Sequence, residues 1–308
     1  MISVIIDIVK SMRANIVVFA VMLYYFMIAR SFVQPYVLVP VYQFFGIYPL
    51  LGWVGILNVF FRDLGIPVLL YCSCALLAKQ KIRPIFSISR LSLTNMLYIT
   101  IMTLAVRIIF NLIESGIPFL LSGSVPMQTF RFMDIGQSLI HNALLATFFE
   151  EAVFRGFLWG EYLRQNTAYW KIAFATGLFF GIIHLGTFTM THTALAGIFF
   201  YAPLIYLTRS IFAPILHHAL MNGLYTLTNL VFYIDNQADF DAFMPVYLTI
   251  LVVATIILTP IAIWCGKRFY HENRHNAQAK ESLSKETKAF NISYWILIVV
   301  MIATFVRS

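Results

Sequence analysis

Glutamate, arginine, histidine and asparagine side chains stand inside apolar stretches of this sequence, where each needs a partner or a task. One stretch reads Thr147-Phe148-Phe149-Glu150-Glu151-Ala152-Val153-Phe154-Arg155, a second Phe180-Gly181-Ile182-Ile183-His184, and a third His217-His218-Ala219-Leu220-Met221-Asn222. On a helix, Glu151 and Arg155 are four apart and ~40° round the axis, with the acid N-terminal to the base, the favourable order for an ion pair. Glu150 lies ~100° from Glu151 and ~140° from Arg155, and no Lys or Arg stands three or four residues away from it. A carboxyl so placed faces other helices and can take and give a proton as a general base. His218 and Asn222 share a face, so imidazole and carboxamide can both donate hydrogen bonds to one developing oxyanion. His217 is ~100° off that face and His141 ~180° round from Glu150, which makes both bystanders.

Taken singly, each residue has a plain structural reading: Glu151 with Arg155 as an ion pair, His184 as a hydrogen-bonded core histidine, Asn222 as glue between helices. An ion pair accounts for neither Glu150 nor two histidines on other helices. The group together reads as a catalytic or ion-handling cluster.

The elements that must position these residues are membrane helices. The 308 residues are 60% hydrophobic and 11% charged, with a mean hydropathy of +0.82. A water-soluble domain is closer to ~25% charged, so this composition would leave apolar surface uncovered in water. The pattern predicts an all-α, polytopic transmembrane helical bundle of about eight or nine spans, because a spanning helix needs ~20 apolar residues and no strand-like alternation is present. Expected spans are about 15–33, 53–78, 91–113, 135–163, 172–185, 192–207, 212–232, 243–265 and 292–306, the second carrying Arg62-Asp63 and the fifth and last short. The opening 1–13 has no small-residue cleavage site and is not read as a removable signal peptide. Cys72, Cys74 and Cys265 make neither a disulfide framework nor a zinc spacing. With no internal repeat, residues 1–308 read as a single integral-membrane domain.

The net charge of +8 does not point to nucleic acid, because the basic residues sit in short groups between apolar runs. Lys10 and Arg13, then Lys79, Lys81, Arg83 and Arg90, then Arg164 and Lys171, then Arg209, then Lys267 to Lys288 fall on one side if nine spans alternate. That side is the cytoplasm, with the N-terminus, and the acidic loop 235–241 falls opposite. A multi-pass protein of the cell membrane is expected if the source is prokaryotic. The polar segment 267–289 reads as a cytoplasmic helix or mobile linker. At ~1.5 Å per residue His218 lies ~10 Å into its span and Glu150 and His184 ~20 Å into theirs, which suits a site at mid-membrane or in the cytoplasmic half.

Glu150-Glu151-x-x-x-Arg155, Phe180-x-x-x-His184 and His218-x-x-x-Asn222, in this order on successive apolar helices, resemble the CAAX-protease and bacteriocin-processing family, which includes the type II CAAX prenyl endopeptidases. The likeness covers about 135–230. It implies hydrolysis of a peptide bond within the membrane by a glutamate-type endopeptidase, with no cofactor and no metal. By the same resemblance Glu150 and His184 hold and activate a water and His218 and Asn222 form the oxyanion hole, while Glu151, Arg155 and Phe180 support them. Its partners are the lipid bilayer and a peptide or protein C-terminal tail, prenylated or not, or a bacteriocin-like precursor; oligomeric state is left open. Some family members are immunity proteins that act on peptides or merely bind them, and a proton or ion pathway is the rival reading from another class.

Two metal readings stand beside this. His271-Glu272-Asn273-Arg274-His275 matches the zinc-protease pattern H-E-x-x-H. The segment is polar, places Arg274 where its charge opposes a metal, and offers no third ligand in an apolar surround, so it reads as a solvated interfacial stretch. Glu150, His184 and His218 form a two-histidine, one-carboxylate set that zinc accepts, and spacing leaves that open.

Overall fold

The computed structural model describes residues 89–124, 139–164, 168–182, 190–231 and 237–281, together with positions 40 and 184. Every described element is helical. Helix α1, Leu93–Ser122, starts where the Ser92 side chain accepts from the Asn95 amide at 3.1 Å, and stops where Gly123 takes φ 73 and donates to Phe119 O. Glycine at that stop is required by the left-handed backbone. The α2 run starts at Leu139 and ends at Arg164 through four consecutive segments: π-helical Leu139–Ala146, α-helical Thr147–Glu151, π-helical Ala152–Leu158 and α-helical Trp159–Arg164. After α3, Tyr169–Ile182, the α4 run joins Met190–Ala196, the π-helical Gly197–Tyr201 and Ala202–Thr208. Helices α5, Phe212–Val231, and α6, Gln237–Glu281, complete the described chain.

Six expected spans therefore fall on helices whose ends differ from the reading of the sequence. Helix α1 runs past 113, because Glu114 is drawn into a pair with Arg107 instead of ending the helix in solvent. Helix α6 carries the expected span 243–265 straight on through the polar residues to Glu281, so of the two expected alternatives for 267–289 the part up to Glu281 takes the helix. Its Lys, Glu, Gln and Ala content favours helix once an apolar stretch has nucleated it. The expected spans 15–33, 53–78 and 292–306 lie outside the described residues, as do Arg62, Asp63, Cys72 and Cys74. Among the described residues two helices are long and apolar enough to cross a membrane, Leu93–Ser122 and Asp239–Asn276.

The chain divides into two compact units. The first takes Phe149–Pro214 and the chain from His275, and so contains most of α2, with α3 and α4. There α3 and α4 meet at paired glycines: a Cβ on Gly197 would lie 2.7 Å from Gly177 Cα and 3.2 Å from Arg155 Nη2. The end of α4 is held by Arg209, left-handed at φ 54, whose Nη2 donates to Asn276 O, while Asn276 Nδ2 donates to Leu207 O, both at 2.8 Å.

The second unit takes Arg90–Phe148 and Ile215–Arg274. Phe240, Met244, Tyr247 and Leu251 of α6 pack with Ile108, Leu112 and Phe119 of α1. Polar groups tie α1 to α5 at a four-residue interval along one face. Thr103 Oγ1 meets His217 Nδ1 at 2.7 Å, the Arg107 guanidinium lies 5.0 Å over the Tyr225 ring, and Asn111 Nδ2 donates to Thr228 Oγ1 at 3.2 Å. Outward, α1 exposes Leu97, Ile113 and Leu120, and α6 exposes Val253, Ile256, Ile257 and Ile263. Polar groups inside and large apolar side chains outside are the arrangement that lipid favours and water does not.

Candidate functional site

The Glu150-Glu151 pair sits on five α-helical residues between two π-helical segments, a local geometry often found where side chains must be re-aimed. Glu151 accepts from Arg155 Nη1 at 3.1 Å with both side chains fully buried. This agrees with the four-residue spacing, and Glu150 beside it is partly exposed. Nε and Nη2 of Arg155 meet no hydrogen-bond acceptor among the described residues. Rings take their place: the guanidinium carbon lies 4.6 Å from the Phe180 and Tyr201 centroids and 5.7 Å from that of Phe154. Aromatic faces attract a desolvated cation by ~2 kcal/mol each in favourable cases, so this cage offsets part of the cost of burying Arg155. Gly197 is what lets α4 approach the guanidinium, since a Cβ there would crowd Nη2.

The cage reaches His184 through Phe180. The Phe180 ring stands edge-on to Tyr201 at 5.5 Å and edge-on to the His184 ring at 5.1 Å. His184 Nδ1 lies 2.8 Å from Phe180 O. A carbonyl oxygen can only accept, so Nδ1 carries a hydrogen and Nε2 is the ring nitrogen left to face the site. The motif Phe180-x-x-x-His184 thus has a mechanical meaning: Phe180, near the end of α3, supplies both the carbonyl that places the hydrogen on Nδ1 and the ring that supports the imidazole.

His218 and Asn222 belong to α5 in the second unit, and Glu150 and His184 to the first. His218 is buried. Asn222 Nδ2 donates to Asn142 O at 3.0 Å and to Thr147 Oγ1 at 3.3 Å. Thr147 itself donates to Asn142 O at 3.1 Å. His217 is no bystander to the fold. The Thr103 hydroxyl spends its hydrogen on Ile99 O at 2.6 Å and so accepts from His217 Nδ1–H. His141 is on α2, but its side chain is outside the described residues.

The sequence reading passed over Thr147, Tyr201, Thr103 and the group Arg107, Asn111 and Glu114. Arg107 is buried, bonds the Asn111 carboxamide oxygen, and pairs with Glu114 Oε2 at 2.7 Å. An Arg within an apolar run, with Asn four and Glu seven residues later on the same face, was the available signal. The H-E-x-x-H segment has its own contacts: Tyr98 donates to Glu272 Oε1 at 3.1 Å, and the Asn95 and Asn273 carboxamides bond each other in both directions. Those contacts pack α6 against α1, with His271 and His275 exposed. Among the described residues no group of three or more His, Cys, Asp or Glu is gathered as a metal-ligand set.

No curated protein and no solved structure matches the chain. A family model does, and the matched stretch holds Glu150, Glu151, Arg155, Phe180, His184, His218 and Asn222. Residues 135–224 match the Type II CAAX prenyl endopeptidase Rce1-like family, a family of membrane-embedded proteases.

Proposed function

We propose that the protein is an intramembrane endopeptidase that hydrolyses a peptide bond of a membrane-associated peptide or protein tail with water activated by Glu150 and His184. The observation that carries this is that two adjacent glutamates lie in the family-matched stretch with different burial: Glu151 is held by Arg155 in a fully buried ion pair, and Glu150 is partly exposed. The Nδ1–H of His184 adds support, because a ring with that hydrogen on a carbonyl leaves Nε2 to face a water.

In this mechanism Glu150 takes a proton from water as the oxygen attacks the peptide carbonyl carbon. His218 and Asn222 donate hydrogen bonds to the carbonyl oxygen as it becomes negative. The proton on Glu150 then passes to the amide nitrogen as the C–N bond breaks, releasing an amine and a carboxylic acid, whose proton then passes to the amine to give the ammonium and the carboxylate. The mechanism uses side chains alone, with no metal.

The test uses detergent-purified protein and a panel of fluorogenic peptides with and without a prenyl group. Glu150→Gln keeps the shape and removes the base, so turnover is expected to fall at least ~100-fold in a folded protein. Turnover equal to wild type would remove Glu150 from the base role. Exhaustive dialysis against a strong chelator is expected to leave activity intact, and a loss reversed by one equivalent of zinc would replace this mechanism with a metal-dependent one. Ion flux in proteoliposomes without cleavage would point instead to transport.

A further inference from the structure

The oxyanion role assigned to Asn222 requires an N–H that can be given up to the substrate, and the contacts of its carboxamide identify which one. Asn142 O is a backbone carbonyl and only accepts, so the group facing it at 3.0 Å is Nδ2, which fixes the orientation of the carboxamide. Thr147 has one hydroxyl hydrogen, and it points to the same Asn142 O at 3.1 Å. The lone pairs of Thr147 Oγ1 therefore accept from Nδ2, at 3.3 Å, and because Asn142 O and Thr147 Oγ1 are only 3.1 Å apart both acceptors lie on one side of that nitrogen. The two N–H bonds of a planar carboxamide diverge by about 120°, so the two acceptors share one of them and the other points away.

We propose that Thr147 is a positioning residue for Asn222: its hydroxyl, together with Asn142 O, holds one Nδ2–H of the carboxamide and so aims the other at the carbonyl oxygen of the substrate, where negative charge develops. The bond that the aimed N–H makes to a charged oxygen is roughly twice as strong as one between neutral groups. The Asn142 bond persists throughout and keeps the carboxamide from turning its oxygen toward the substrate, which would repel the charge. Thr147 is fully buried and lies three residues before Glu150 on the same helix, so the first motif would carry the base and the aligner of an oxyanion donor within one turn. This inference rests on the peptidase reading given above.

Thr147→Val keeps the branched shape and removes the hydroxyl. With a peptide that the wild type cleaves, kcat is expected to fall by about 10-fold and KM to stay within about 2-fold, because a misaligned oxyanion donor is felt in the transition state and costs less than its removal. Thr147→Ser, which restores the hydroxyl, is expected to recover most of the lost rate. The decisive comparison is made in Asn222→Ala, where adding Thr147→Val should lower kcat by less than about 2-fold further, since the group it aligns is gone. Should Thr147→Val fail to fold, Thr147→Ala serves the same series. A rate for Thr147→Val equal to wild type overturns the proposal. So does a full 10-fold loss repeated in the Asn222→Ala background, which would mark a general structural effect. A wild-type protein that cleaves none of the panel overturns the peptidase reading first, and this role with it.

Discussion

Two adjacent glutamates with the same chemistry have different surroundings. Glu151 gives its charge to Arg155, and Arg155 in turn rests on three aromatic rings with only one nitrogen bonded to the carboxylate. Breaking a buried pair leaves an uncompensated charge, at a cost of about 3–5 kcal/mol, and the rings cannot replace a full counter-charge. Glu151→Gln is therefore expected to lower the melting temperature by several degrees more than Glu150→Gln in the same detergent. Equal melting temperatures would contradict the split between a structural and a chemical glutamate. The ion pair was legible in the sequence from its four-residue spacing. The ring cage was not, because Tyr201 stands 46 residues after Arg155 and is brought to it by the packing of α4.

Packing of elements in the first unit depends on how closely α3 and α4 approach. At Gly197 an added Cβ would meet Gly177 Cα at 2.7 Å, a backbone atom that cannot rotate away. Overpacking of this kind costs about 1–3 kcal/mol or more. At Gly266, in the middle of α6, the nearest atom to an added Cβ is Met102 Sδ at 3.4 Å, the end of a flexible side chain. Gly197→Ala is accordingly expected to destabilise the protein by at least about 2 kcal/mol and to reduce activity with it. Gly266→Ala, which adds helix propensity worth up to about 1 kcal/mol, should be neutral or stabilising. Melting curves of the two variants measured side by side check the contrast, and similar shifts for both would show that α3 and α4 are not in close contact at Gly197. The tie between α1 and α5 through Thr103, Arg107 and Asn111 is a second such interface, and it is polar.

For the molecule as a whole, the distribution of Lys and Arg predicts that the polar end of α6 faces the cytoplasm. Arg274 is exposed there. In a background with Cys72, Cys74 and Cys265 replaced, Arg274→Cys is expected to resist an impermeant maleimide in intact cells and to react after lysis. Labelling in intact cells would invert the topology.

What the sequence determined by itself was whatever follows from composition and local spacing. Apolar runs of about 20 residues and a low charge content gave helices, two of them among the described residues long and apolar enough to cross a membrane, and residues four apart gave Glu151 with Arg155 and the shared face of His218 and Asn222. The ends of those helices were less legible, because a polar residue does not end a helix when its side chain finds a partner within the fold. Glu114 finds Arg107, and Glu272 and Asn273 find Tyr98 and Asn95 on another helix. The tertiary structure alone decided the contacts between helices distant in sequence: the cage of rings around Arg155, the His217 bond to Thr103, and the engagement of Asn222 by Asn142 and Thr147. Helical periodicity reports which face a residue shares with its neighbours in the chain. Which other helix meets that face is set by close packing of side chains of particular size, here permitted by glycines at 177 and 197, and no local pattern encodes it.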